Sequence, residues 1–446
     1  MKNSVKFINH ASILVSNGKT TVLTDPWYSG TSFDDGWMLL YENEKDEIEK
    51  ILNDVNFIWI SHEHPDHFSI KFFKDYEKIL KAKNVKFIFQ KTNDKRVVSF
   101  LKMKNYECIE LNNNEIYSID NNFEIKIQTS DFYDSALIIN LNGKKIFNLN
   151  DCPLKTKSEL KEFKKIYGEC DFLFTQFSYA AWKGGKKNIS WRNSAADEKI
   201  NTLKKQSEIL NAKFTIPFAS FIKFCDSYNF YLNDSINTPN KIVEKTKDIN
   251  SNILFLKPYQ ILDLDNPTND KVGFNFWQDI YSNSNNFNII ENKKTYNFKT
   301  LNEAFLLYEK RIFSKNSKFL IKLLSKFKLF NFFQPIIIEI KDLKMNVKVD
   351  LANNLFEEVN SQPDIEMYSK SLYLIFNQDF GFDTLTVNGC FEEKDKSAFT
   401  KMSKSFAIGN LNNLGINLNH KIIFNASVII LFFKKLISIK KKLLKY

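Results

Sequence analysis

The segment Ser61-His62-Glu63-His64-Pro65-Asp66-His67 decides how this 446-residue sequence is interpreted. It holds three of the five histidines in the chain, and it follows Phe57-Ile58-Trp59-Ile60, an apolar run typical of a buried strand. Layered α/β folds place their sites on loops at the carboxyl ends of strands. A solvated polar loop would rarely collect three histidines, so the pattern indicates chemistry at this position.

The spacing of these side chains suits metal binding. In an extended loop, residues two apart point to the same side and lie about 6 to 7 Å apart, so His62 and His64 could bind one ion. Asp66 and His67 follow a turn at Pro65 and could face a second ion about 3.5 to 4 Å from the first. Imidazoles and a carboxylate suit zinc, iron or manganese. We therefore expect two divalent metal ions, with a water between them that ionises near neutral pH.

The sequence around this segment predicts the fold class of the N-terminal part. Residues 1–265 alternate short apolar runs with helical stretches, which predicts an α/β unit whose sheets are covered by helices. Asn17-Gly18 and Asn142-Gly143 each lie between two apolar runs and predict β-hairpins.

A polar stretch rich in Asn and Ser follows and predicts a domain boundary near residue 266. Residues 266–419 form a predicted smaller α+β accessory domain with two strand pairs, Ile336–Val349 and Ser371–Phe391, the second turning at Asn388-Gly389. Residues 420–446 form a third segment, which is basic and apolar.

The histidine segment meets the H-x-[EH]-x-D-H signature through His62, His64, Asp66 and His67, and it resembles the metallo-β-lactamase superfamily. Further stretches, among them Asn9-His10-Ala11-Ser12 and Thr24-Asp25-Pro26-Trp27, resemble the metal-binding half of CMP-N-acetylneuraminate hydroxylases and their bacterial relatives. The resemblance implies a four-layer αββα fold with the metals at the edge of the two sheets. One fold and one metal site serve several chemistries in such families, so the reaction stays open.

The resemblance also implies roles for three residues outside the segment. Asp151 matches the aspartate that bridges the two metals, with a turn aspartate as the alternative. His10 matches a family position near the metals and is expected behind the metal ligands, with a buried core histidine as the alternative. Asp25 would either orient a ligand histidine from behind or make the turn before Pro26.

The chain departs from the superfamily pattern in two ways. The next histidine after His67 is His420, so the later histidines of typical superfamily hydrolases are missing. Asp134 or Asp131 would replace the first of them, or one metal would be weakly held, and a carboxylate-rich site leans toward iron or manganese. Paired cysteine and histidine ligands for a Rieske cluster do not occur either, so an oxygenase would need a separate redox partner.

Three classes of function fit these observations. In the first, a metal-dependent hydrolase, a metal-bound hydroxide oriented by Asp66 or Asp151 attacks an ester, amide or phosphodiester of an anionic metabolite. The second is a di-iron oxygenase that hydroxylates an N-acyl sugar nucleotide. The third is a non-catalytic, membrane-associated module. We expect the hydrolase.

The loop Trp182-Lys183-Gly184-Gly185-Lys186-Lys187 bears on the substrate. Lys183 and Lys186 could hold a phosphate or carboxylate there, with a merely solvated basic loop as the alternative. The expected substrate is a small anionic metabolite, such as a sugar nucleotide or a lipid-linked compound.

The formal charge of +11 permits a nucleic acid or an anionic membrane as partner, depending on where the excess lies. Residues 309–330 carry a net +6 and residues 421–446 a net +7, leaving −2 for the rest of the chain. Both segments combine lysines with leucine and phenylalanine, which suits lipid better than nucleic acid, although a helix packed on its own domain is the alternative.

Compartment and membrane topology are also expected from the sequence. The five cysteines form no C-x-x-C pair, and neither a secretory signal nor a spanning helix is recognisable, so we expect a reducing cytosol. Within it, we predict association with the inner face of the membrane through the C-terminus.

Overall fold

The computed structural model describes residues 2–130, 134–283, 289–291, 294–326 and 331–419. These residues separate into two compact units, the first made of Met1–Asp226 and Phe230–Ile290 and the second of Ser227–Asn229 and Glu291–Tyr446. The division therefore follows Ile290 instead of falling near residue 266. The reason is a helix at Val272–Ser282, whose Trp277 and Tyr281 are buried in the core of the first unit.

The first unit contains seventeen strands, of which fourteen build two seven-stranded sheets. In chain order they are β1 (Ser4–Asn9), β2 (Ser12–Ser16), β3 (Thr21–Thr24), β4 (Thr31–Ser32), β5 (Trp37–Leu39), β6 (Phe57–Trp59), β7 (Lys86–Gln90), β8 (Cys108–Leu111), β9 (Tyr117–Asp120), β10 (Phe123–Thr129), β11 (Ser135–Leu141), β12 (Lys144–Asn150), β13 (Phe172–Gln176), β14 (Phe214–Phe218), β15 (Ile222–Phe224), β16 (Asn252–Ile253) and β17 (Ile261–Asp263).

The first sheet has the order β17-β1-β2-β3-β6-β7-β8 and the second the order β16-β14-β13-β12-β11-β10-β9. Strands β3, β6, β7 and β8 pair in parallel, as do β12, β13, β14 and β16. Parallel neighbours bring their carboxyl ends to one edge, so each sheet collects several loops at one end. A small third sheet, β15-β5-β4, completes the strands of this unit.

The helices of the first unit connect these strands. They are α1 (Lys45–Leu52), α2 (Ile70–Ala82), α3 (Arg96–Met103), α4 (Lys157–Tyr167), α5 (Ile189–Ile209), α6 (Pro239–Lys245) and α7 (Val272–Ser282), with a short 3-10 helix at Phe230–Ser235. Helix α2 begins at an N-cap, because the Ser69 hydroxyl accepts from the Phe72 N–H. Helix α4 begins at a capping box formed by Thr156 and Glu159.

Three apolar clusters show the layering. One cluster joins residues of both seven-stranded sheets, such as Ile88 and Ile146, and lies between them. The neighbouring residues in each strand point the other way: Phe87 packs with α2 and Phe147 packs with α4 in the two outer clusters. Strands buried on both faces explain why their sequences read as continuous apolar runs. This is the predicted αββα arrangement of the metallo-β-lactamase fold, and it is confirmed.

Both predicted hairpins are present. Asn17-Gly18 joins β2 to β3, and Asn142-Gly143 joins β11 to β12, with Asn142 at φ 48° and Gly143 at φ 81°. Positive φ at both central residues is the turn geometry that matches the twist of the flanking strands.

The second unit holds a five-stranded sheet of order β20-β19-β18-β21-β22. Its elements are α8 (Phe298–Lys315), α9 (Lys318–Lys326), β18 (Ile336–Ile340), β19 (Met345–Asp350), β20 (Leu355–Glu358), β21 (Ile365–Met367), α10 (Ser369–Asn377), α11 (Gly381–Asn388), β22 (Glu392–Glu393), α12 (Ala398–Phe406) and α13 (Ile408–Asn413). The predicted strand pair within Ile336–Val349 is present as β18 and β19.

The predicted strand pair within Ser371–Phe391 is wrong, because this stretch forms helices α10 and α11. Leu372, Ile375 and Phe376 recur at helical spacing and are buried. Asn388-Gly389 is no hairpin turn either: Gly389 ends α11 in the left-handed conformation at φ 68°, a usual role for glycine after a helix.

The structure describes most of the first basic segment, residues 309–330, and none of the second. Residues 309–326 of the first segment span the end of α8 and the whole of α9, in which Ile321 is buried and Phe319 is 73% exposed. The second segment, residues 421–446, lies outside the described residues, so its membrane association stays a prediction. In the part of the chain that is described, no helix has the length and apolar character that crossing a membrane requires.

Candidate metal centre

The histidine segment starts two residues after β6 ends, at the edge where the parallel strands of the first sheet finish. Asp25 follows β3 and its N–H donates to the Trp59 carbonyl (3.0 Å). Gln90 ends β7 and its Nε2 donates to the Ser61 carbonyl (3.0 Å). The second sheet contributes Ser135, whose hydroxyl donates to the same carbonyl (2.7 Å). Both sheets therefore hold the start of the segment in place.

The first group of candidate ligands is His62, His64 and Asp151, whose ligand atoms all lie within 4.8 Å of one another. His62 Nε2 lies 2.9 Å from His64 Nδ1 and 4.0 Å from Asp151 Oδ2. Two nitrogens on one ion, each about 2.0 to 2.1 Å from it, are separated by about 3 Å. The two histidines that the spacing predicts as a pair thus have ring nitrogens at a separation that suits one ion.

The second group is His10, Asp66 and His67, again with ligand atoms within 4.8 Å of one another. Asp66 Oδ2 lies 3.3 Å from His10 Nε2 and 3.2 Å from His67 Nε2. His10 lies in the turn between β1 and β2, and the structure places it among the candidate ligands instead of behind them. His10 therefore adds a fourth candidate histidine ligand from outside the histidine segment.

Asp151 reaches both groups from the end of β12. Its Oδ1 lies 3.6 Å from His67 Nε2, and its Oδ2 lies 4.0 Å from His62 Nε2. This is the position of a carboxylate that can neutralise two cations, one with each oxygen.

Asp134, the tentative ligand, precedes β11. Its Oδ1 lies 3.8 Å from His62 Nε2. Burial and the charge of Asp151 raise the pKa of Asp134 to about 7. Asp131, the other candidate of the sequence, lies outside the described residues.

Asp25 orients His67 from behind. One carboxylate oxygen, Oδ2, lies 3.1 Å from His67 Nδ1, and the other, Oδ1, accepts from the Ser61 N–H (2.8 Å). A carboxylate on one ring nitrogen leaves the other free to bind a metal and fixes the ring orientation. Burial raises the pKa of Asp25, against the lowering effect of His67.

Sequence reasoning missed Asn150, the residue before Asp151. Its Nδ2 donates to Asp25 Oδ2 and to Ser61 Oγ (3.0 Å), and so joins the end of β12 to the first sheet. Its only sequence signal is its place beside Asp151 at the end of an apolar run. Gln176, at the end of β13, was missed as well, and its Nε2 donates to Asp151 Oδ1 (2.5 Å).

The electrostatics of the group follow from burial and mutual charge. Burial, then the charges of His67 and His64, hold the pKa of His62 well below its usual value, so this ring stays neutral and able to bind a metal. Burial lowers the pKa of His67, but the charges of Asp66, Asp151 and Asp25 outweigh burial and hold this pKa well above its usual value. Burial raises the pKa of Asp151, yet His67 brings it down to about 2. His67 likewise outweighs burial at Asp66 and holds its pKa well below the usual value.

The residues present fit a metal pair. Asp66 Oδ1, His67 Nε2 and His10 Nδ1 are buried and have no hydrogen-bond partner among the described residues. Buried polar atoms without partners are costly, and a metal ion would satisfy the first two of these atoms directly. Neutral imidazoles with carboxylates are a donor set for zinc, iron or manganese, and the identity of the metal is left open by this set.

The basic loop lies between β13 and α5. Lys183 is half-buried, and burial and the charge of Lys155 lower its pKa. Lys186 is exposed, with its Nζ 6.0 Å from the ring centre of Tyr231.

The two layered sheets define a protein of the αββα class, and the histidine and carboxylate cluster at their shared edge could hold metal ions. Residues 4–165 match the family model described as a β-lactamase superfamily domain. The first unit thus has the metallo-β-lactamase fold, with the match lying in residues 4–165, and the chain is similar in sequence to cytidine monophosphate-N-acetylneuraminic acid hydroxylases.

A similar curated protein is cytidine monophosphate-N-acetylneuraminic acid hydroxylase from Danio rerio, 24% identical over 267 residues. The match covers 56% of this chain and 43% of that hydroxylase, so it spans less than half of the relative.

Two solved structures are also similar. CmlA, a diiron β-hydroxylase from Streptomyces venezuelae, is 12% identical with a TM-score of 0.42 over 59% of this chain and 54% of its own. A metallo hydrolase from Ignicoccus hospitalis is 15% identical with a TM-score of 0.39 over 59% of this chain and 98% of its own.

Proposed function

We propose that the protein is a metal-dependent hydrolase that cleaves an ester, amide or phosphodiester bond of an anionic metabolite. The observation that carries the proposal is the position of Asp151, whose two oxygens face the two candidate ligand groups. Bound metals at these groups would lower the pKa of a water molecule and polarise a carbonyl or phosphoryl oxygen.

The side chains of the cluster have distinct roles in this proposal. His62 and His64 would hold one metal together with Asp151, and His10, Asp66 and His67 would hold the other. Asp66 and Asp151 would accept hydrogen bonds from the attacking water and orient it, because an ionised carboxylate offers only acceptors. Asp134, with its pKa raised to about 7, can hold a proton near neutral pH and pass it to the leaving group.

An oxygenase is the second candidate, and the similarity to cytidine monophosphate-N-acetylneuraminic acid hydroxylases favours it. The carboxylates Asp66, Asp134 and Asp151 give the cluster the hard donor set that iron accepts. In that case the chain would hydroxylate the N-acyl group of a sugar nucleotide, with electrons from a separate protein.

Metal analysis joined to turnover assays separates the two candidates. We expect the purified protein to hold two metal ions per chain and to hydrolyse chromogenic esters or phosphodiesters only when metal-loaded. An iron pair with oxygen-dependent hydroxylation of CMP-N-acetylneuraminate would overturn hydrolysis in favour of the second candidate. Bound metal without turnover of either kind would favour a non-catalytic module.

The variant His64→Ala tests the site itself. It removes a ligand from the first group, so we expect the loss of about one metal ion per chain and of turnover. His420→Ala is the matched control, since His420 is the one histidine of the sequence outside the candidate site. Unchanged metal content in His64→Ala would contradict the assignment of the site.

A further inference from the structure

Three lysines from separate parts of the first unit lie near one another and near Asp151. Lys155 precedes α4, Lys183 lies in the loop after β13, and Lys199 lies in α5. Lys155 Nζ donates to Glu198 Oε1 (3.4 Å), in the residue before Lys199 on α5. The charges of Lys155 and Lys183 both act on Lys199, and the charge of Lys155 acts on Lys183. The three ammonium groups therefore form one cationic cluster, named here the lysine cluster.

Hydrogen bonds connect the lysine cluster to the candidate metal centre. Lys199 Nζ donates to Gln176 Oε1, and Gln176 Nε2 donates to Asp151 Oδ1 (2.5 Å). One amide side chain thus separates the ammonium group from the carboxylate that faces both ligand groups. A ligand atom bound by Lys199 would lie beside the metals.

The loop that carries Lys183 is held rigidly. Arg192 is buried, and its guanidinium donates to the carbonyls of Gly185 (2.7 Å) and Lys186 (3.2 Å) while it pairs with both oxygens of Asp234. Gly184 has φ +89°, and a Cβ there would lie 2.9 Å from Asn188 Cβ. The backbone that follows Lys183 is therefore fixed before any ligand binds, which lowers the entropic cost of ordering this loop.

Among the described residues, two carboxylates, Glu198 and Asp151, act on the three ammonium groups of the lysine cluster. Lys183 makes no hydrogen bond or ion pair with any residue that the structure describes. Lys155 pairs with Glu198 (3.4 Å), and both of these side chains are at least half exposed. Burial lowers the pKa of Lys199 to about 8 against the raising effect of Asp151, and Lys155 adds to the lowering. A bound anion would offset both the burial cost and the mutual repulsion.

We propose that the lysine cluster is an oxyanion subsite that binds the phosphate or carboxylate group of the substrate beside the metal centre. This inference rests on the proposed function and names the part of the molecule that makes it selective for anionic metabolites. Lys183 and Lys199 supply charged hydrogen-bond donors, and Lys155 adds charge at the solvent side.

Binding measurements on the metal-loaded full chain test the subsite without turnover. We would titrate CMP, which carries a phosphate monoester, and N-acetylneuraminic acid, which carries a carboxylate, at fixed ionic strength by calorimetry. The probe that binds more tightly identifies the oxyanion that the lysine cluster takes. The absence of saturable binding by both probes would overturn the proposal.

The variants Lys183→Met and Lys199→Met locate the binding. We expect each to weaken binding of the preferred probe by about 10-fold, the effect typical of a charged hydrogen bond, with metal content unchanged. Lys204→Met is the matched control, because Lys204 lies on the same helix α5 and pairs with Asp248 instead. Wild-type affinity in Lys183→Met and Lys199→Met would overturn the proposal.

Two outcomes distinguish a failure of the subsite from a failure of the proposed function. If Lys199→Met also loses metal through Gln176, Lys183→Met alone decides, since Gln176 bonds to Lys199 and the structure describes no hydrogen bond between Gln176 and Lys183. A protein that hydrolyses no ester or phosphodiester but still loses anion affinity in Lys183→Met retains the subsite while the proposed hydrolysis fails.

Discussion

Three residues at strand ends of the candidate site have positive φ angles: His10 at 31°, Asp25 at 34° and Asn150 at 50°. Residues with a side chain adopt this region rarely, and each instance costs free energy that the surrounding structure must supply. Each of the three side chains lies in the metal cluster or directly behind it. The backbone is thus strained where it aims these groups at the site.

The first prediction at this scale concerns Asp25. In Asp25→Asn the side chain keeps its size but loses the charge that fixes the His67 ring, so we expect metal affinity to fall by about 10- to 100-fold. Competition with a chromogenic chelator measures it. Asp75→Asn is a matched control, because Asp75 is an exposed partner of Lys71 on α2. Equal affinities in the two variants would show that Asp25 does not act through His67.

The second prediction concerns pH and His67. Its raised pKa means that a proton stays on the ring above the usual range, and a metal must displace that proton. Apparent metal affinity should therefore increase as the pH rises through the raised pKa of His67, and it should be lower at pH values below that pKa. Metal titrations from about pH 6 to about pH 9 measure this slope. A metal affinity that does not change with pH would contradict the displacement of a proton from His67.

At the scale of elements, the predictions that are confirmed concern strands and turns that a local sequence pattern determines. Strand β6 and the hairpins at Asn17-Gly18 and Asn142-Gly143 followed from apolar runs and turn residues, and all are present. The resemblance identified Asp151. No local pattern identifies Gln176 or Lys199, because Gln176 contacts Asp151, and Lys199 contacts Gln176, only when β12, β13 and α5 pack together.

The second unit shows where local pattern misleads. Its sequence Ser371–Phe391 contains an apolar alternation and an Asn-Gly pair, yet it forms α10 and α11. The reason is tertiary: Gly381 lets the start of α11 approach the end of α10, where a Cβ would lie 1.9 Å from the Leu374 carbonyl oxygen. A glycine for close approach of two helices cannot be told from a turn glycine in one sequence.

This contact gives the third prediction. Gly381→Ala should destabilise the second unit by about 1 to 3 kcal/mol, because the backbone of α10 must move to admit the methyl group. Gly409→Ala in α13 is the matched control, since the nearest atom to its Cβ would be 3.9 Å away and its cost should be near zero. Chemical unfolding followed by fluorescence compares the two. Equal stabilities would remove the close approach as the reason for the fold of this stretch.

At the scale of the whole molecule, the charge divides along the chain. Residues 309–330 and 421–446 carry a net +6 and +7, and the remainder carries −2. The described part of the first segment exposes Phe319 and Leu323 among its lysines. Apolar side chains among lysines bind anionic lipid surfaces, with about 1 kcal/mol from each lysine near the surface.

The fourth prediction is reversible binding to anionic vesicles through the C-terminal segment. Co-sedimentation with vesicles containing phosphatidylserine should be clear for the full chain and fall strongly on deletion of residues 421–446, because seven lysines are removed. Vesicles of phosphatidylcholine alone are the control and should bind weakly. Sedimentation that is unaffected by the deletion would refute the prediction.

The convergence of histidines has a practical consequence for spectroscopy. Four of the five imidazole rings in 446 residues lie in the candidate metal centre. In protein labelled with ¹⁵N only at histidine, nearly every ring resonance would therefore report on this one site. The two nitrogens of each ring give distinct chemical shifts for each tautomer, so the spectrum would follow protonation and metal loading directly. A large chain thus becomes accessible through a few signals.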